Sequence, residues 1–269
     1  MTPRAVRPTQ LLRLAIASSF AVESATAQKR LRHPLPLAGF GFLVRNRRLA
    51  QAIQRLGIRG AYESRVLMRT MLEIQINYAW IRLRNSYSRA LRYHRFIPLE
   101  QLKVLKQMNT LLKQDDYDNI RGRLEAERRR TRHLFRFRDS KNKLQWSKTW
   151  AAVSSVEARV SEVLSKERPG KQVDPFHYGM YISFSSATHG SPGSVSDVLR
   201  IEDDRLVARQ QPETNPAVHQ RGAAILLAWT IDAFTEDARL RRRLRAELRP
   251  LKEAIAELRA RAYAAGHGS

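Results

Sequence analysis

Residues 61–85 read Ala61-Tyr62-Glu63-Ser64-Arg65-Val66-Leu67-Met68-Arg69-Thr70-Met71-Leu72-Glu73-Ile74-Gln75-Ile76-Asn77-Tyr78-Ala79-Trp80-Ile81-Arg82-Leu83-Arg84-Asn85. At about 3.6 residues per turn, Val66, Leu67, Met68, Met71, Leu72, Ile74, Ile76, Tyr78, Ala79, Trp80, Ile81 and Leu83 cover most of the circumference. A helix apolar nearly all round belongs inside a bundle, so other helices must surround it. One oblique line breaks the rule: Arg65, Arg69, Glu73 and Asn77 follow one another at i+4 spacing. Arg69 and Glu73 are one turn apart and can pair. A buried pair is costly unless its remaining hydrogen bonds are met, so the line calls for further polar partners nearby.

Helical periodicity also dominates outward from this stretch, and no sustained period-2 run appears. The pattern predicts helices over about 9–31, 44–56, 98–114 and 150–166, with a shorter piece up to Ile97. His33-Pro34-Leu35-Pro36 ends the first of them, because proline cannot continue a helix. Asp115-Asp116 can cap a basic helix running toward Arg138. Asp174-Pro175 and Asn215-Pro216 each place a capping residue before a proline, which starts helices over 174–189 and 215–248. Pro250 breaks the latter, and 251–265 finishes the chain. Residues 191–215 are the least regular, with a short extended piece at Arg205–Arg209. The expectation is an all-α fold: a single bundle-like domain with a central buried helix and peripheral basic helices. Its parts are an N-terminal helix and Pro-rich connector (1–40), a bundle core (41–248) and a C-terminal helix (249–269). Leu14–Val22 followed by Ala25-Thr26-Ala27 has the outline of a signal peptide, but Arg13 and Glu23 bound a short apolar run, which favours a first amphipathic helix. No stretch approaches the roughly 20 apolar residues that span a bilayer, and the reading is cytoplasmic.

A second polar line lies on the 174–189 segment, where Tyr181, Ser185 and His189 share one face at i+4 spacing. His189 sits at the C-terminal end, where the helix dipole favours a protonated imidazole. Segment 62–80 and this Tyr181…Ser185…His189-Gly190 pattern together resemble an uncharacterised family of bacterial helical proteins, catalogued as a domain of unknown function. The family is marked by an Arg-x-x-x-Glu helix and a Tyr-x-x-x-Ser-x-x-x-His helix, and the resemblance covers roughly 40–200. It implies a helical fold and a shared constellation that includes Arg69, Glu73, Ser185 and His189. It implies no activity.

The chain has 269 residues, 49 Lys+Arg against 25 Asp+Glu, a formal charge of +24 and no cysteine. Thiol catalysis, disulfide scaffolds, iron–sulfur clusters and cysteine zinc sites are thereby excluded. The positive charge is blocked: residues 121–150 hold eleven bases against three acids, whereas 172–237 hold four against nine. In 121–150 the cations Arg128, Arg129, Arg130, Arg132, Arg136 and Arg138 alternate with His133, Phe135, Phe137, Trp146 and Trp150. Phosphates meet charge and bases meet π-faces, so this pattern suits nucleic acid, RNA above all. Arg241, Arg242 and Arg243 form a second basic block. Two bland readings stay open: arginine enrichment from GC-rich codons on a solvated face, and an acidic protein or membrane partner.

If the two polar lines face each other, Arg69 can bind an anionic oxygen, Glu73 can orient or accept a proton, and His189 can act as general acid or base beside Tyr181 and Ser185. Such a set suits metal-independent cleavage of RNA, whose 2′-hydroxyl supplies the nucleophile. By analogy with helical effectors, the setting would be a toxin or phage defence. The alternatives are a hydrogen-bond network that only fixes helix packing, a non-catalytic binding module, and a protein-interaction scaffold. Arg followed after four to six residues by His, seen at Arg89…His94, Arg128…His133 and Arg261…His267, matches helical endoribonucleases only as often as about three chance hits would. No H-x-x-x-H pair and no phosphate-loop motif occurs; Gly39-Phe40-Gly41 and Gly190-Ser191-Pro192-Gly193 lack the lysine and strand context, so no metal and no cofactor is expected.

Overall fold

The computed structural model describes residues 7–27, 29–57, 60–108, 110–138, 140–147, 149–151, 155–166, 199–202, 205–208 and 216–266. Two prolines that were expected to lie in a connector instead begin a helix. After α1 (Pro8–Ala27), α2 runs from Pro34 to Leu56, well before its expected start at Val44. Pro34 and Pro36 fall in the first helical turn, where a missing N–H costs no intrahelical bond. His33 caps this end, its Nδ1 accepting from the Leu35 N–H at 3.3 Å. Gly57, at φ +54°, closes the other end through its N–H to the Ile53 carbonyl.

The central helix is where the periodicity put it. α3 (Ala61–Leu83) packs against α2, against α4 (Ser86–Arg95), and against the later helices α8 (Val156–Lys166) and α9 (Pro216–Asp237). Met68, Met71, Leu72, Ile76, Tyr78, Ala79 and Ile81 are all buried. The other deeply buried helix is α9, which meets α1, α2 and α3 through Ala223, Ala224, Leu226, Leu227, Ile231 and Phe234. α1 adds Leu11, Leu12, Ala15 and Val22 to the same core. Polar pairs fix the registers between these helices: Asn46 donates to Thr230 at 2.9 Å, Thr9 to Gln220 at 2.7 Å, and Arg47 pairs with Glu23 at 2.7 Å.

Several helix ends differ from the expected ones, each for a local reason. The helix expected over 215–248 stops at Asp237. Arg239 takes a left-handed conformation (φ +55°), the Leu240 N–H reaches the Thr235 carbonyl at 2.8 Å and the Arg239 N–H reaches the Glu236 carbonyl at 3.0 Å. That is a Schellman closure. Buried Ala238, Leu240 and Leu244 anchor the turn, and α10 (Arg245–Gly266) then carries Pro250 inside it rather than breaking there. α8 starts at Val156, not at Trp150.

The basic helix departs most. After α5 (Ile97–Gln107), α6 (Gln114–Arg130) stops eight positions short of Arg138 in sequence number. The buried Thr131 hydroxyl donates to the carbonyls of Glu127 and Arg128, and the one-turn α7 (Arg132–Phe135) drives Phe135 under Phe96. A hairpin follows, β1 (Arg136–Arg138) antiparallel to β2 (Leu144–Trp146), with Arg136 opposite Trp146 and Arg138 opposite Leu144. A second pair, β3 (Leu199–Glu202) and β4 (Arg205–Ala208), occupies the region where an extended piece was expected. The helix expected over 174–189 lies outside the described residues. α5, α6 and the hairpin rest on two small apolar clusters of their own, Leu102–Leu105–Leu124 and Phe96–Leu99–Phe135. Among the described residues, no helix is long and apolar enough to cross a membrane.

Candidate functional site

The polar line of α3 lies at the edge of the core rather than sealed within it. Arg69 Nη1 stands 3.9 Å from Glu73 Oε2, a long contact for an ion pair, and the Glu73 side chain is 38% exposed. Gln75 is buried, and its Oε1, like Asn77 Oδ1, has no hydrogen-bond donor among the described residues. Near the other end of the line, α9 contributes His219, which is 3% exposed. Burial, and then the positive charge of Arg65, push its imidazole down to about 4, so it is neutral at pH 7. Sequence reasoning passed over His219 because it looked for histidine pairs. The sequence shows only a histidine one turn after the Asn215-Pro216 cap, and it becomes distinctive only beside Arg65 of α3. Tyr181, Ser185 and His189 lie outside the described residues; what the structure places here is the Arg65, Arg69 and Glu73 line, with His219 beside its Arg65 end.

Two other charged clusters are structural joints. Tyr78 donates to Asp237 Oδ2 at 2.6 Å, and Arg82 bridges Asp237 and Glu236 at 3.0 Å each, tying α3 to the end of α9. Burial pushes the Asp237 carboxyl up, against the pull of Arg82, and drives the Tyr78 phenol well above its ordinary range. Glu162 of α8 accepts from Trp80 Nε1 at 2.6 Å, Arg89 at 2.8 Å and Arg84 at 3.0 Å. Arg89 also stacks on Trp80, and His94 contacts the Pro34 carbonyl at 3.1 Å. The Arg89…His94 spacing therefore serves packing at both ends.

The first basic block forms a face on α6, α7 and the hairpin. Arg129, Arg130, Arg132, Arg136 and Arg138 are exposed. Arg130 pairs with Glu127 at 2.6 Å, and Arg138 donates to the Asn142 carbonyl at 3.0 Å, bracing the hairpin turn. Arg136 and Arg138 lie on strand rather than on the expected helix, so they alternate with Phe137, which points to the opposite face and is 51% exposed. Arg128 is half-buried, with its guanidinium 4.9 Å from the Trp146 ring centre; Arg136 approaches the same ring at 5.6 Å. The second block, Arg241, Arg242 and Arg243, sits in the turn between α9 and α10, where Arg241 is engaged by Asp232 at 2.8 Å and Glu236 at 3.1 Å. No group of three or more histidine, aspartate or glutamate side chains among the described residues is placed to hold a metal ion.

A family model described as a family of unknown function (DUF5677) matches residues 37–206. No curated protein and no solved structure matches the chain.

Proposed function

Since the chain belongs to that family of unknown function, whose description carries no activity, we propose from the geometry that the protein binds nucleic acid, RNA in preference, across the face built by the end of α6, α7 and the β1–β2 hairpin. One observation carries this reading. Phe137 stands half exposed on a solvent-facing hairpin, on the strand face opposite Arg136 and Arg138, and belongs to none of the hydrophobic clusters. A large ring left in water gains nothing for folding, but it offers an unpaired base a stacking surface on a hairpin whose other face carries charges that fit phosphate. Unpaired bases are the usual handle for RNA recognition, and the hairpin's side chains suit a strand better than a deep, narrow groove. A cytoplasmic location fits such a role.

The narrower form of the proposal is metal-independent RNA cleavage, favoured by the Arg69–Glu73 pair at a partly open edge of a polar line whose Arg65 end lies beside the neutral imidazole of His219. With His189, which the family resemblance implies in the same constellation, these groups would supply an anion clamp and proton carriers.

Binding is tested by titrating a fluorescent single-stranded RNA at several salt concentrations. Wild type should lose affinity steeply with salt. Replacing Arg129, Arg132 and Arg136 together by serine should flatten the log–log slope by about 0.7 per phosphate contact removed. Absence of binding at low salt would overturn the proposal. Cleavage is tested separately on the same RNA: His189→Ala and Glu73→Gln should abolish turnover while sparing affinity, and equal cleavage by wild type and variants sinks the narrower form.

A further inference from the structure

Beside the hairpin, a groove opens between α5, α6 and β2. Its floor is apolar, formed by the buried side chains of Leu99, Leu102 and Leu105. Two aromatic rings line it, Tyr117 from α6 and Trp146 from β2, and both are partly exposed. The rim is cationic: Lys106, Arg121 and Arg128 stand around it against a single acid, Glu125, which Arg121 holds at 3.2 Å.

Arg128 is the informative residue. Its guanidinium lies over Trp146, yet its Nε is buried and has no acceptor among the described residues. A buried donor left unmatched on a charged group carries a desolvation cost. A rotation of the half-buried Arg128 side chain toward the groove would let an acceptor on an occupant relieve it. The occupant must therefore be flat and apolar enough for a leucine floor and two rings, must carry acceptor atoms at its edge, and must bring negative charge for the rim.

From these requirements we infer that the groove takes one unpaired nucleobase with its attached phosphate, so that a strand crossing the hairpin delivers one nucleotide into it. The base lies on the leucine floor against the rings of Trp146 and Tyr117, Arg128 donates from Nε to an acceptor on the base, and Lys106 and Arg121 face the phosphate. This deepens the nucleic-acid reading and rests on it. It specifies a single strand with a base free of pairing, since a base held in a duplex cannot enter without being flipped out at additional cost.

The full-length protein is titrated with adenosine 5′-monophosphate, uridine 5′-monophosphate, ribose 5-phosphate and inorganic phosphate, followed by calorimetry and tryptophan fluorescence. Single-stranded and duplex RNA of equal length are run alongside. The nucleotides are expected to bind about tenfold more tightly than ribose 5-phosphate, the scale of one stacked base. Trp146→Leu should remove that advantage, Trp146→Phe should keep most of it, and Arg128→Gln should weaken the nucleotides while leaving inorganic phosphate nearly unchanged. Thermal melts of each variant separate a lost contact from a lost fold.

If ribose 5-phosphate binds as well as the nucleotides, or if Trp146→Leu changes nothing, the groove is no base site and the inference fails, while RNA binding by the hairpin face survives. If single-stranded RNA itself does not bind, both readings fall together. Binding of anionic phospholipid vesicles that Trp146→Leu abolishes, with no nucleotide binding, would also overturn it.

Discussion

Gly39 and His219 show how much a single residue decides here. Gly39 lies on α2 where the side chains of Tyr78 and Phe234 close over it; an added Cβ would overlap Tyr78 Oη and sit 2.8 Å from Tyr78 Cζ. Gly39→Ala should therefore destabilise the protein by about 1–3 kcal/mol, as overpacking does, seen as a lower urea midpoint. The cost falls on Tyr78, whose hydroxyl holds Asp237. His219 makes a prediction about pH. Its folded value of about 4 lies below its ordinary 6.5, so between these two values the unfolded chain binds a proton that the native state refuses. Its stabilisation is complete above pH 6.5 and is lost as pH falls toward 4, by up to roughly 3 kcal/mol. Unfolding in urea at pH 7 and pH 5 should show a smaller pH difference for His219→Gln than for wild type. Partly buried His94, also held below its ordinary value, contributes to the slope that remains. Neither role was legible from the sequence. A glycine in a helix and a lone histidine become significant only when Tyr78 and Arg65, distant in the chain, arrive beside them.

At the scale of elements, the ends of helices are where reading and structure part. The type of each long segment followed from its own periodicity, which is a local property, and α3 runs over almost the whole stretch that decided the fold. Ends depend on what the next residues bury. Pro34 and Pro36 act as starters because His33 caps them, whereas Pro250 is absorbed into α10 because the chain has already turned at Arg239. Arg239 holds a left-handed conformation that glycine adopts without a Cβ clash. Arg239→Gly should therefore stabilise the fold by about 0.5–1 kcal/mol, read as a higher urea midpoint at unchanged slope. A lower midpoint would mean that the arginine side chain contributes more than its backbone costs. Arg136-Phe137-Arg138 is too short an alternation to mark a strand, and its pairing with Leu144–Trp146 depends on Phe135 being drawn under Phe96.

For the whole molecule, a charge of +24 sets a field but not a surface. The two arginine blocks look alike in sequence and differ in place. Arg241 is spent on Asp232 and Glu236, while Arg129, Arg132 and Arg136 face solvent along the hairpin side. Arg241→Ala should change affinity for single-stranded RNA less than twofold at about 0.15 M salt, whereas Arg136→Ala should weaken it severalfold. Equal losses from the two would mean that the long-range field, rather than a local face, governs binding. What the sequence determined by itself was the helical class, the buried α3, the polar line along it and the blocked charge, since all four follow from residue spacing along one chain. Only the tertiary structure decided that His219 sits by Arg65, that Glu73 stays partly open to water and that Arg128 and Trp146 line one groove. Those are meetings between residues of different elements, and they are set by how apolar faces pack.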